Sequence, residues 1–123
     1  MAKNEIIGII HADMIVSENY LENLLKHLDK GKVVCATRIE PPLHPNAGEK
    51  ILMDFGVWPE EFKEEAFNEF VARENNSSQV TEGIFAPWMM YKEDYLTIGG
   101  HDPILKSARE DSDIFNRMLL AGF

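Results

Sequence analysis

The sequence carries a single cysteine, Cys35, among its 123 residues, so no disulfide can join two parts of this chain. A reducing environment is the corresponding expectation. Basic residues are also scarce: 12 Lys and Arg stand against 21 Asp and Glu, for a formal net charge of -9. That balance argues against binding a nucleic-acid backbone or an anionic lipid surface, both of which need clustered cations. Long hydrophobic runs are missing too. No apolar stretch approaches the ~20 residues a membrane helix needs. Met1–Glu5 has no signal-peptide pattern, and a cytoplasmic location follows as an expectation. The four histidines lack zinc-ligand spacing, and His27 is given no role. Repeats and low-complexity segments are absent.

What is present suits one folded domain over residues 1–123. Apolar residues make up 45% of the chain, including seven Phe, two Trp and six Met that require a dry interior. Ile6-Ile7-Gly8-Ile9-Ile10 reads as a strand buried on both faces, the kind found in parallel sheets. Ser17 reads as an N-cap, with Leu21, Leu24, Leu25 and Leu28 at helical spacing and Gly31 as the stop. Val33–Thr37 is the next strand and gives Cys35 a place as a small buried hydrophobe. Strand, helix and strand form a βαβ unit with a right-handed crossover.

Pro41, Pro42 and Pro45 exclude regular structure locally, although Leu43, His44, Ile51, Leu52, Phe55 and Trp58 should pack. Pro59 opens a helix with Glu60 and Glu61 at its positive end and Phe62, Ala66, Phe67 and Phe70 as its stripe. Residues 75–79 read as a turn, and Asn76-Ser77-Ser78 is a coincidental glycosylation sequon. Val80–Tyr91 is strand-like, Lys92–Leu96 is a short helix closed by Gly99-Gly100, and Ser107–Leu120 is a final helix.

Chemistry has two places to sit. Asp13 follows the end of the first strand, where ligands bind in open α/β sheets. By itself it either holds a divalent cation or satisfies backbone N–H groups of its loop. Gly99-Gly100-His101-Asp102 and Arg109-Glu110-Asp111-Ser112-Asp113 form the second place. Its carboxylates either cap a helix or supply a proton acceptor with an acidic neighbour. Trp88 is either core or a platform for stacking a sugar ring.

Together these blocks resemble family 2 glycosyltransferases of the GT-A fold. The resemblance is carried by Ile6–Asp13, by Gly99-Gly100-His101-Asp102, and by Glu110-Asp111-Ser112-Asp113-Ile114 through Arg117 to Gly122-Phe123. It implies an α/β fold: a partial, Rossmann-like mixed sheet with flanking helices, roughly the second half of the full domain. It implies inverting transfer of a hexose-type sugar from a nucleotide-diphosphate donor to an acceptor hydroxyl. Asp13, with His11 beside it, matches the motif that binds Mg²⁺ or Mn²⁺. His11 stands where the family has its first aspartate. Asp111 matches the general base and Glu110 its acidic neighbour. Gly100, His101 and Asp102, with Trp88, match the acceptor side, and Asp113 and Arg117 a structural polar pair. The family's N-terminal nucleotide-binding half has no counterpart here.

The expectation is therefore an inactive sugar-transfer fragment, or one that depends on a partner chain supplying that half. A half sheet leaves a strand edge open, and a homo-oligomer that covers it is a further expectation. The alternatives are a noncatalytic oligomeric binding module, or a metal-dependent hydrolase built on His11, Asp13, His101 and Asp111.

Overall fold

The computed structural model describes residues 2–43, 50–75, 80–81, 83–105 and 109–123. His44, Pro45, the sequon at 76–78 and the expected helix start at Ser107 lie outside the described residues. The chain is a small mixed α/β protein. Its main sheet has three strands, β1 (Ile6–Ile9), β2 (Val33–Cys35) and β5 (Trp88–Tyr91), in the order β1-β5-β2. Both outer strands pair antiparallel with β5, so β1 and β2 run in the same direction. Helix α1 (Tyr20–Leu25) connects them, which preserves a βαβ unit with β5 inserted between its strands.

This corrects the expectation of a first strand buried on both faces among parallel neighbours. Among the described residues β1 is an edge strand, only half-buried, and its one sheet partner, β5, comes from about eighty residues along the chain. An apolar run specifies a strand but not which strand will sit beside it.

β5 explains where the core lies. Trp88 and Met90 are fully buried on one face, against Ile114 and Met118 of helix α4 (Glu110–Ala121). Ile7, Ile9 and Val33 add to that cluster from the flanking strands. Met89 faces the other way and packs with Tyr20 and Leu24 of α1. The period-two alternation of a strand thus divides Trp88-Met89-Met90 between two helices. The strand-like stretch from Val80 is much longer than the observed β5. Ala86-Pro87 precedes the strand with a cis peptide bond.

Helix α1 is shorter than its leucine spacing indicates. The Tyr20 N–H donates to the Ser17 carbonyl in a turn, and the helix begins only at Tyr20. The helix closes before Gly31, which occupies a later turn with φ +74°. Its N–H donates to the Asp94 carboxylate at 2.8 Å, so a tertiary contact sets that turn.

The middle segment is more regular than its prolines suggest. β3 (Arg38–Glu40) and β4 (Lys50–Leu52) form a separate parallel pair. Glu40 pairs with Lys50 at 2.8 Å and with Arg38 at 3.2 Å, and the Lys50 side chain is only 9% exposed. Pro59–Glu61 makes one 3-10 turn, after which α2 runs Glu64–Glu74. Phe67 and Phe70 of α2 pack edge-on and tilted against Phe55, and Phe62 joins Phe67. Ala66 is exposed, so the helix buries a narrower stripe than expected. Trp58 is 66% exposed and no part of the core.

Candidate functional site

The final helix starts at Glu110 rather than within the expected Ser107 region. Arg109 precedes it in the left-handed conformation, φ +68°. Glu110, Asp111 and Asp113 all fall in its first turn, where the helix dipole favours negative charge. The opposite end of the sequence arrives at the same place. β1 ends at Ile9, and His11 accepts the Met14 N–H through its carbonyl, forming a turn that contains Asp13. Met14 and Ile9 both pack against the Trp88–Ile114 core, which anchors this turn near α4. His11 Nε2 lies 3.3 Å from Asp111 Oδ2, with both side chains part-exposed. The contact is an ion pair when His11 is protonated.

Asp13 is exposed, and among the described residues nothing engages its carboxylate. Among the described residues, one buried carboxylate oxygen of Glu110 has no hydrogen-bond partner. Among the described residues no group of three or more His, Cys, Asp or Glu side chains is placed to hold a metal ion. The remaining possibility for Mg²⁺ or Mn²⁺ is one or two carboxylates completed by ligand phosphates.

The glycine loop is built by helix α3 (Lys92–Thr97) and closed by Arg117. Gly99 and Gly100 take φ of +83° and +66°. A Cβ at Gly100 would press on the Tyr95 ring at 3.1 Å, and the positive φ strains any side chain there. Arg117 donates from one guanidinium nitrogen to the carbonyls of Ile98 and Gly100, each at 2.6 Å. Its Nε and other terminal nitrogen donate to Asp113. Asp113 and Arg117 thus tie α4 to the loop after α3 through a charge-assisted fork.

His101 follows directly. Its backbone N–H donates to the Tyr95 hydroxyl at 2.9 Å, and its Nδ1 lies 2.8 Å from the same oxygen. Its ring stacks on Trp88 at 6.3 Å and 16°. Trp88 itself is fully buried, which corrects the expectation that it offers a stacking face to a sugar. That face is occupied by the protein's own imidazole and phenol rings. Asp102 is exposed and accepts the Ile104 N–H at 2.9 Å, a local turn bond.

His11 and Asp111 are thus brought together, and Trp88, Tyr95, His101 and Gly100 form a second, adjoining cluster. Their link is Trp88, which pairs with Ile9 across the ladder. Tyr95 is the residue missed by sequence reasoning. Its position on the short helix before Gly-Gly is the available signal, because that helix must return the chain to its own start. Cys35 is half-buried; burial pushes its thiol pKa up, and its Sγ donates to the Gly83 carbonyl.

By fold, the molecule belongs among small mixed α/β proteins with an antiparallel three-stranded sheet. Comparison with known proteins found no matching family model, no matching curated protein and no matching solved structure. No helix among the described residues is long and apolar enough to cross a membrane.

Proposed function

We propose that this chain carries the acceptor side of a sugar-transfer domain of the GT-A type, similar to family 2 glycosyltransferases. The supporting observation is the His11–Asp111 contact, which joins the strand-end block and the final-helix block at one end of the sheet. A mixed sheet with β1 and β2 in the same direction, flanked by helices, is compatible with half of such a domain.

In this reading the acceptor oxygen bonds to the anomeric carbon of the donor sugar. The bond from that carbon to the diphosphate breaks, and the diphosphate leaves with the electron pair. The acceptor proton passes to the Asp111 carboxylate, which His11 orients. Glu110 is the acidic neighbour. Asp13, unengaged and exposed, is the carboxylate available to a cation bridged by diphosphate oxygens. Bound there, Mg²⁺ or Mn²⁺ would offset charge on the departing diphosphate. His101 and Gly100 shape the acceptor side, with Trp88 supporting His101 from beneath.

Calorimetry with Mn²⁺ and a panel of nucleotide diphosphates and nucleotide sugars tests the reading. Metal-dependent heat is expected in the intact chain and in Asp111→Asn, and its loss is expected in Asp13→Ala. Sugar transfer itself is expected only with a nucleotide-binding half present. Heat that persists unchanged in Asp13→Ala, or no sugar transfer even with a nucleotide-binding half present, would overturn the reading in favour of a noncatalytic module.

A further inference from the structure

Among the described residues, β1 is an open sheet edge. Ile6-Ile7-Gly8-Ile9-Ile10 contains no charge and no proline. The Lys92 N–H donates to the Glu5 carbonyl, which fixes the parity of the ladder. Glu5, Ile7 and Ile9 direct their backbone groups at β5, so Ile6 and Gly8 direct theirs outward.

Beside this edge lies an open groove of about 760 Å³, lined by Ile6, Gly8, Ile10, Leu21, Leu25 and Met89 among others. Leu21 is 58% exposed, and Leu25 and Ile10 are each 47% exposed. The leucine stripe of α1 is therefore divided. Leu24 enters the core, while Leu21 and Leu25 face the groove. In a chain of net charge -9, the charged residues lining the groove are one Lys and one Glu, Lys3 and Glu5. Such a surface is not shaped for a cationic partner.

We propose that the occupant is a second copy of this chain, paired β1 to β1 about a two-fold axis through Gly8. In that register Gly8 faces Gly8, Ile7 faces Ile9, Ile6 faces Ile10 and Glu5 faces His11. The outward backbone groups of Ile6, Gly8 and Ile10 meet one another, as an antiparallel ladder requires. Sliding by one allowed step in one direction sets Glu5 against Asp13, and in the other sets Lys3 against His11. Of the three, the Gly8-centred register alone sets Lys3 against Asp13, opposite charges at neutral pH. The axis stands normal to the sheet, so both α1 helices lie on one face. Leu21 and Leu25 of each copy then cover the groove of the other, an isologous interface that leaves no β1 edge free. This inference does not depend on the sugar-transfer reading.

Sedimentation velocity on the intact chain is the test. The expected mass is twice 14.0 kDa. Ile10→Lys and Leu21→Lys change exposed side chains, so the circular dichroism of the monomer should stay unchanged while dimerisation weakens at least about tenfold. Register is read from Gly8→Cys in a Cys35→Ala background. A Cβ at Gly8 meets only ordinary contacts, 3.5 Å and beyond. Under mild copper-catalysed air oxidation, the two thiols lose their protons and two electrons to oxygen, giving a linked dimer. It should form faster than with Leu120→Cys, which is exposed and distant from the edge in sequence. A monomer in the micromolar range, unaltered association in both lysine variants, or equal cross-linking rates would each overturn the proposal.

Discussion

At Gly100 the chain needs two things from glycine at once. The φ of +66° disfavours a side chain, and the Tyr95 ring stands 3.1 Å from where a Cβ would be. Gly100→Ala is expected to cost about 1–3 kcal/mol, read as a lower urea midpoint. Two titrating groups share a different constraint. Burial raises the pKa of Cys35, and burial followed by the neighbouring Cys35 raises that of Tyr20. Each binds its proton more tightly in the folded state than in the unfolded chain. Their contribution is therefore intact below the ordinary values of 9.0 and 10.0 and is lost as pH rises beyond them. Thermal melts should show the midpoint falling from about pH 9 upward. Cys35→Ala should flatten the first part of that fall. Trp88 shows the limit of residue identity as a guide: an indole near carboxylates suits a sugar platform, but only burial decides whether its face is free.

Among the elements, α4 is held by a fork that lysine cannot reproduce. Arg117 reaches Asp113 and the carbonyls of Ile98 and Gly100 with one planar group. Arg117→Lys should lose about 2 kcal/mol of stability in denaturant titration, since hydrogen bonds to charged groups are worth about 1.5–3 kcal/mol. The β3–β4 pair depends on Glu40, which lies between Arg38 and the nearly buried Lys50. Glu40→Gln leaves Lys50 with a neutral partner in that environment. A loss of about 3 kcal/mol is expected, within the range for breaking a buried pair. A small loss in that titration would mean that water reaches Lys50. Neither network was legible beforehand. The resemblance implied a structural polar pair of Asp113 and Arg117, but the carbonyls that Arg117 grips belong to another element. Lys50 and Glu40 lie across a proline-rich segment that suggested no strands at all.

The whole molecule is acidic, with a sequence pI of about 4.8, yet the open groove beside β1 is apolar and nearly neutral. Light scattering should show association peaking near pH 4.8, where charge repulsion between molecules vanishes. Much of the architecture was legible in the sequence. Unbroken β-branched runs at Ile6–Ile10 and Val33–Thr37 mark strands because only pleated, part-buried backbone suits them. The apolar spacing of Ile114, Phe115 and Met118 marks a helix because 3.6-residue turns put them on one face.

Sequence by itself determined the charge, the single thiol, the βαβ order and the residues eligible for chemistry, since each is local in the chain. Tertiary structure decided that β5 enters between β1 and β2, that Trp88 is sealed beneath His101, and that His11 meets Asp111. Those are choices among long-range partners. They are settled by which apolar faces can be buried together, a quantity that no short window of residues contains.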